Sequence, residues 1–310
     1  MKQLVGVILA AGRGTRMFPF SERWPKPVLP ILGKPLLQHQ IEMMISIGIR
    51  KIFVVIGYLG YEIVRTLEKG PQLDADIEYV EQIEALGIAH AVGRLEDRVQ
   101  SPFLLFLGDI YFVSSKLDRL VAEFGKNNTR AVLASKVEDR PEMIRRNFAI
   151  IPAEGRVVRR VIEKPRYLEN KLKGCGIYLF GLEIFDAIRR TPRTAMRDEY
   201  EITEAIQIMI QDGHRVVHAN VVEEDWNLTI PEDLLSINLR ALKQLGRLNE
   251  FVGTRMPGKG LRNCVVGRNV KIRQPVSLRN CVLFDDTQVK PPTKLTNAII
   301  TPDGVVQCNF

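Results

Sequence analysis

Histidine and cysteine are scarce in this chain, with four of each among 310 residues. Cys175, Cys264, Cys281 and Cys308 stand far apart and form no C-x-x-C pair. In a chain of this size that spacing argues against a disulfide framework and against a zinc site. The four are expected instead to be small buried apolar residues. His39, His90, His214 and His218 stand in no Ser/His or Cys/His constellation of the kind that nucleophilic catalysis needs. No apolar run approaches the roughly 18 to 20 residues that cross a bilayer. The opening run Leu4–Ala11 is too short and too glycine-punctuated for a signal peptide. A cytoplasmic location without a membrane partner is the expectation. Gly-Lys-Ser/Thr at P-loop spacing is missing as well.

Apolar residues make up 45% of the chain and charged residues 26%, enough for a sizeable core. The length implies one large domain with an appendage, or two domains. The net charge of +8 points to an anionic partner. Much of the excess lies between Arg145 and Arg197, as the doublets Arg145-Arg146, Arg159-Arg160 and Arg189-Arg190. Nucleic-acid binding would add interleaved aromatics or a recognisable module, and neither is present. The doublets therefore read as a solvated surface, and no nucleic-acid partner is expected.

To about residue 230, short apolar runs alternate with amphipathic stretches. Val5–Ala10, Ile52–Ile56, Ile77–Val80, Phe103–Phe106 and Ala131–Ala134 read as strands. Several are continuously apolar, as strands buried on both faces are. Pro35–Ile47, with Gly48 just beyond, and Leu117–Phe124 read as helices. A further helix is expected to start around Asp198–Thr203, and another at Pro231-Glu232-Asp233, where proline and acids suit a first turn. The alternation predicts an α/β fold with a doubly wound, mostly parallel sheet.

The tail changes character. Leu261-Arg262-Asn263-Cys264-Val265-Val266 recurs as Leu278-Arg279-Asn280-Cys281-Val282-Leu283, and again as Leu295-Thr296-Asn297-Ala298-Ile299-Ile300, each time after 17 residues. That period and composition predict a small C-terminal β-helix in which the three asparagines stack at successive turns. Residues 1–240 are assigned to the main domain and 241–310 to the end of the linking helix and the repeat. The repeat holds no histidine to serve as an acyltransferase base, so it reads as an assembly or regulatory element, and a homo-oligomer is expected.

The first strand runs into Gly12-Arg13-Gly14-Thr15-Arg16. Glycines let backbone N–H groups approach phosphate oxygens, and Arg16 adds a planar cation. Lys26 is held between Pro25 and Pro27. The loop departs from a dinucleotide fingerprint: Thr15-Arg16-Met17 fills the third glycine position, and no acid closes the strand at Val54-Val55-Ile56. The whole run Leu9–Pro19, followed by Pro25-Lys26-Pro27-Val28-Leu29-Pro30, closely resembles the signature of the sugar-phosphate nucleotidylyltransferases.

That resemblance spans nearly the whole chain and implies a Rossmann-like nucleotidyltransferase domain followed by a left-handed β-helix. It implies that a nucleoside triphosphate is bound by Ala10, Ala11, Gly12, Gly14, Thr15, Arg16 and Lys26. The base would be read by Gln82 and Gly87, within Glu81–Ala91. A glutamine can both donate to and accept from a pyrimidine edge, which favours UTP or dTTP. Asp109, closing the fourth strand, is implied as a magnesium ligand. Glu163 and Lys164 are implied for the sugar 1-phosphate, a hexose 1-phosphate such as glucose 1-phosphate, with Ala149 and Gly174 beside them. Arg16, Lys26, Asp109 and Lys164 form the implied catalytic set.

Two departures stand out. Asn227 takes the place of a second metal-binding aspartate, so magnesium binding is expected to be weaker there or to recruit Asp225. Ala149 replaces a glycine that commonly approaches the sugar. Asn227 also supports an alternative, a catalytically weak regulatory or scaffold homologue. His90 is expected to be a cap or core residue rather than a participant in chemistry.

Overall fold

The computed structural model describes residues 4–195, 198–253 and 260–309; Arg197 lies outside them. The chain forms two compact units. One holds residues 1–12 and 40–225, the other residues 13–39 and 226–310.

The first unit is organised by a nine-stranded sheet. Its strands are β1 (Val5–Ala10), β2 (Lys51–Ile56), β3 (Asp76–Glu81), β4 (Phe103–Leu107), β5 (Thr129–Val137), β6 (Phe148–Pro152), β7 (Val158–Glu163), β8 (Leu172–Phe180) and β9 (Arg215–Asn220). β1 lies between β2 and β4, parallel to both, and β3 continues parallel beyond β2. β8 runs antiparallel to β4 and bridges to β5 and β6, while β9 is parallel to β5. β7 closes an edge, antiparallel to β6. Only β7 and β8 therefore oppose the shared direction, and the sheet is mostly parallel, as expected. Ile8, Val54, Val55 and Phe103–Phe106 are almost without exposed surface, which explains their unbroken apolar runs.

Helix boundaries mostly follow the sequence signals. The helix expected to start around Asp198–Thr203 begins at Ile202 and ends at Gln211. The backbone ahead of it is engaged elsewhere: Tyr200 N donates to Leu86 O (2.8 Å), and Ala89 N donates to Tyr200 O (2.9 Å). Those two bonds hold Tyr200 against the Leu86–Ala89 loop and keep it out of the helix.

In the second unit, the segments Leu261–Val266, Val276–Leu283 and Thr293–Thr301 stack in parallel register, with Leu261 on Leu278 on Leu295 and Cys264 on Cys281 on Ala298. Asn249–Phe251 adds a parallel segment at one end, and Gly304–Gln307 folds back antiparallel to cover the other. The parallel pairing of Lys271–Ile272 with Gln288–Val289 provides a second wall. Cys264, Val266, Leu278, Cys281, Leu283 and Ile300 fill the interior. The expected asparagine stack is present. Asn263 Nδ2 donates to Asn280 Oδ1 (3.1 Å) and Asn280 Nδ2 to Asn297 Oδ1 (2.8 Å). All three adopt positive φ (53°, 52° and 55°), a conformation asparagine tolerates better than most residues. All four cysteines are free and buried.

The Lys26 segment belongs to this unit. Phe20 stacks on Phe284 (5.7 Å between centroids), and Trp24 meets the same ring edge-on (5.4 Å). Asn238, fully buried on the Pro231–Gln244 helix, donates to Pro30 O (2.9 Å) and accepts from Leu32 N (2.7 Å). No helix among the described residues is long and apolar enough to cross a membrane.

Candidate active site

In the first unit, the carboxyl ends of β1, β2 and β4 meet side by side. Gly108 N donates to Leu9 O (2.9 Å). A side chain at residue 108 would place its Cβ 2.4 Å from that oxygen, and one at residue 57 would come within 2.7 Å of Ala11 O. Glycine at both positions lets the three strand ends close on Leu9–Ala11. Gly12 differs: a Cβ there would meet nothing within 4 Å, so nothing in the fold requires glycine. Its exposed backbone is open to an anion approaching the strand ends, the usual place for a ligand in such sheets.

Asp109 follows in the turn between β4 and the strand Ile110–Val113. Sequence reasoning missed the residue that sets this turn. Gln40, 1% exposed on the Leu36–Ser46 helix, donates from Nε2 to Leu107 O and to Ile110 O, both at 2.8 Å. The two carbonyls bracket Asp109. An amide buried on an otherwise apolar helix face was the available signal, but its partners lie 67 and 70 residues away. Gln40→Met preserves volume and leaves both carbonyls without this donor, at a cost of about 1–3 kcal/mol each. Lower stability in urea is expected, with a lower kcat.

The Gln82 segment has a structural logic of its own. Gln82 is 6% exposed, and its Nε2 lies 3.0 Å from His90 Nδ1. The two side chains are thus within hydrogen-bond reach of one another. His90, half-buried, stacks on Tyr200 (6.2 Å). Gly87, at φ 108°, faces the Tyr200 backbone, where a Cβ would approach O at 2.6 Å and N at 2.7 Å. Glycine is thus demanded there by Tyr200.

The residues expected at the sugar phosphate converge on β6, β7 and β8. Glu163 pairs with Phe148, Ile162 and Lys173 each pair with Ala149, and Gly174 pairs with Phe148. Lys164 N donates to Asn147 O (2.8 Å), holding Lys164 at φ 42°, a costly conformation for a lysine. Gly174 is a packing residue, because the Phe148 ring fills the space of its missing side chain, with Cζ 1.9 Å from the site of a Cβ.

Lys173, the register partner of Ala149, belongs to a buried charge cluster. Lys173 Nζ contacts both Asp225 oxygens, at 2.8 and 2.6 Å, and neither side chain has exposed surface. Lys136, facing Lys173 across β5 and β8, reaches Glu224 (3.1 Å) and lies 3.7 Å from both Asp225 and Glu138. Burial pushes the Asp225 carboxyl up, and Lys173 opposes that shift. The idea that Asp225 could be recruited to magnesium is corrected by this geometry, since both its oxygens face a buried ammonium.

Glu138 is held near pKa 2 by its hydrogen-bonded pairing with Arg140, against burial, with Lys136 adding a smaller pull. Arg140 binds it in two-pronged fashion (2.8 and 3.0 Å). A depressed carboxyl stabilises the fold above its ordinary pKa near 4.5 and loses that contribution as pH falls towards about 2. Urea unfolding from pH 6 to pH 3 should therefore show a steeper loss of stability in the wild type than in Glu138→Gln.

In the second unit, Gly14 (φ 62°) opens the short turn Thr15–Met17, and the Lys26 stem lies across it, with Cε and Cγ 3.0 Å from where a Cβ would sit. The structure therefore brings Gly14 and Lys26 together, while Thr15 and Arg16 are exposed. Asn227 follows in this unit as the last residue of the strand Glu224–Asn227.

The chain belongs to the nucleotidyl transferase family, whose profile matches residues 5–241. It is 33% identical over 253 residues to the low-salt glycan biosynthesis nucleotidyltransferase Agl11 of Haloferax volcanii, a match covering 79% of this chain and 69% of that one. It is 33% identical over 229 residues to the UTP–glucose-1-phosphate uridylyltransferase AglF of the same organism (73% and 92% covered). A Streptomyces antibioticus glucose-1-phosphate thymidylyltransferase is 31% identical over 268 residues (83% and 73%). In fold, the chain matches a UDP-glucose pyrophosphorylase solved with UDP-glucose, at a TM-score of 0.70 and 20% identity, over 78% of this chain and 99% of that one.

Proposed function

We propose that this protein joins a nucleoside triphosphate, UTP or dTTP, to a sugar 1-phosphate of the glucose 1-phosphate type, releasing pyrophosphate. The observation that carries the reading is the glycine-lined meeting of the β1, β2 and β4 ends beside Asp109, in a chain of this family. A phosphate oxygen of the sugar 1-phosphate attacks the α-phosphorus, and the bond to the bridging oxygen breaks as pyrophosphate leaves. The attacking phosphate is already ionised, so the protein needs no general base. Its work is positioning and charge neutralisation.

The backbone at Ala10, Ala11, Gly12, Gly14 and Thr15 is assigned to the triphosphate, with Arg16 and Lys26 neutralising the departing pyrophosphate. Gln82 is assigned to the base, its amide oriented by His90. Lys164 neutralises the acceptor phosphate, and Glu163 accepts from sugar hydroxyls alongside Ala149. Among the described residues no cluster of three or more His, Cys, Asp or Glu side chains could hold a metal by itself. One carboxylate at Asp109, completed by phosphate oxygens, suits magnesium, a hard cation usually held by few protein ligands. When bound there it would neutralise phosphate charge. Asn227 remains a sequence-based candidate for a neutral ligand.

We assign catalysis to residues 1–240. For residues 241–310 we propose a left-handed coil, subunit contact and a homo-oligomer in the cytoplasm. The direct assay is pyrophosphate release from UTP or dTTP with glucose 1-phosphate, and silence with every triphosphate and hexose 1-phosphate pair would refute the reading. Lys164→Ala is expected to raise KM for the sugar phosphate at least about tenfold while KM for the triphosphate changes little. Equal rises in both would contradict the role given to Lys164.

A further inference from the structure

A second concave site lies wholly within the coil-bearing unit. A cleft of about 730 Å³ opens between the Pro231–Gln244 helix, with the turn that follows it, and the stacked asparagines. On one wall stand Arg240, Lys243 and Arg247. Their spacing of three and four residues aligns Arg240 and Lys243 on one helix face and carries the stripe to Arg247 in the following turn. The opposite wall is the Asn263–Asn280–Asn297 ladder, and Leu239, Leu242 and Leu248 supply apolar surface. Among the described residues, no acidic side chain lines the cleft.

Cations near a helix C-terminus have an ordinary role, compensating the helix dipole. That role needs neither a concave site nor an opposing polar wall. Nor does it account for the ladder's polarity. Each amide donates to the next coil, so the ladder ends in the Asn297 NH2 group, which donates to no further rung. Each asparagine amide carries two N–H donors and a carbonyl with two lone pairs, so this wall offers both donors and acceptors to a ligand. Two of the cations already have company: Arg247 pairs with Glu250, and Arg240 lies over the Trp226 ring at 5.7 Å. Both contacts are side-chain pairs that an incoming anion can share.

We propose that this cleft binds a small organic phosphate, with its phosphate on Arg240, Lys243 and Arg247 and its hydroxyl-bearing or heterocyclic part along the asparagine ladder. The volume falls within the roughly 300–1,000 Å³ usual for small-ligand sites. This site is separate from the triphosphate loop and does not depend on the proposed reaction.

Calorimetric titration of the full-length protein with UDP, glucose 1-phosphate and inorganic pyrophosphate tests it, alongside the double variant Lys243→Glu, Arg247→Glu. For UDP or glucose 1-phosphate, the wild type should show a binding event that the variant loses or weakens at least tenfold. Melting temperature and pyrophosphate release at saturating substrates should remain those of the wild type. Pyrophosphate alone should bind the cleft more weakly, because it has nothing to place on the ladder. Identical titrations of wild type and variant with all three probes would overturn the proposal. So would a variant whose main change is a smaller sedimentation mass, since the stripe would then be a contact between copies of the chain. Failure of the proposed reaction would appear separately, as absence of turnover in the wild type.

Discussion

Asp225→Ala is expected to destabilise the protein by about 3–5 kcal/mol, the usual consequence of removing one partner from a buried ion pair. The substitution leaves Lys173 with no exposed surface and without its nearest carboxylate, and deprives Lys136 of an acid 3.7 Å away. Across β5 and β8 the two lysines are register partners. With Asp225 gone, like charges face one another in a buried setting. Urea unfolding of wild type and variant measures the loss. Asp225→Leu combined with Lys173→Met should recover most of the loss, because paired apolar replacements of buried ion pairs are often neutral or better. A single-variant cost below about 1 kcal/mol would mean that water reaches the pair.

Asp109→Ala is expected to lower kcat by at least about a hundredfold, the scale set by losing one preorganised electrostatic contact to a reacting group. Folding should change little, because Gln40 holds the turn at Leu107 and Ile110. The effect should persist at saturating concentrations of both substrates, which separates it from Lys164→Ala. Steady-state rates over a magnesium series check the assignment. Near-normal turnover in Asp109→Ala at any magnesium concentration would remove Asp109 from the site.

The strands of the parallel core were legible because burial on both faces writes itself as an apolar run, as in Phe103–Phe106. The coil was legible because its repeat brings chemically equivalent residues together, which shows in Asn263, Asn280 and Asn297. The glycine loop and Lys26 were legible as a motif, and the packing of the Lys26 stem across Gly14 gives that motif a physical form. Residues whose meaning depends on distant partners were not legible. Gln40 looked like one more position on a helix, and Lys173 and Asp225 find each other across 52 residues. The helix starting at Ile202 was legible in its Asp198–Thr203 window, but the bonds that tie Tyr200 to Leu86 and Ala89 were not, since no local signal carries them. Gly87 and Gly174 stood where a substrate was expected, but the glycine requirement comes from the Tyr200 backbone and the Phe148 ring.

The proposed chemistry turns on which phosphorus is attacked, and one isotope experiment reads this directly. Glucose 1-phosphate carrying oxygen-18 in its phosphate is incubated with UTP or dTTP, magnesium and the enzyme, and both products are analysed by mass spectrometry. Attack by the sugar phosphate on the α-phosphorus keeps all the label in the nucleoside diphosphate sugar and leaves the pyrophosphate unlabelled. Label in the pyrophosphate, or no nucleoside diphosphate sugar with either triphosphate, would contradict it.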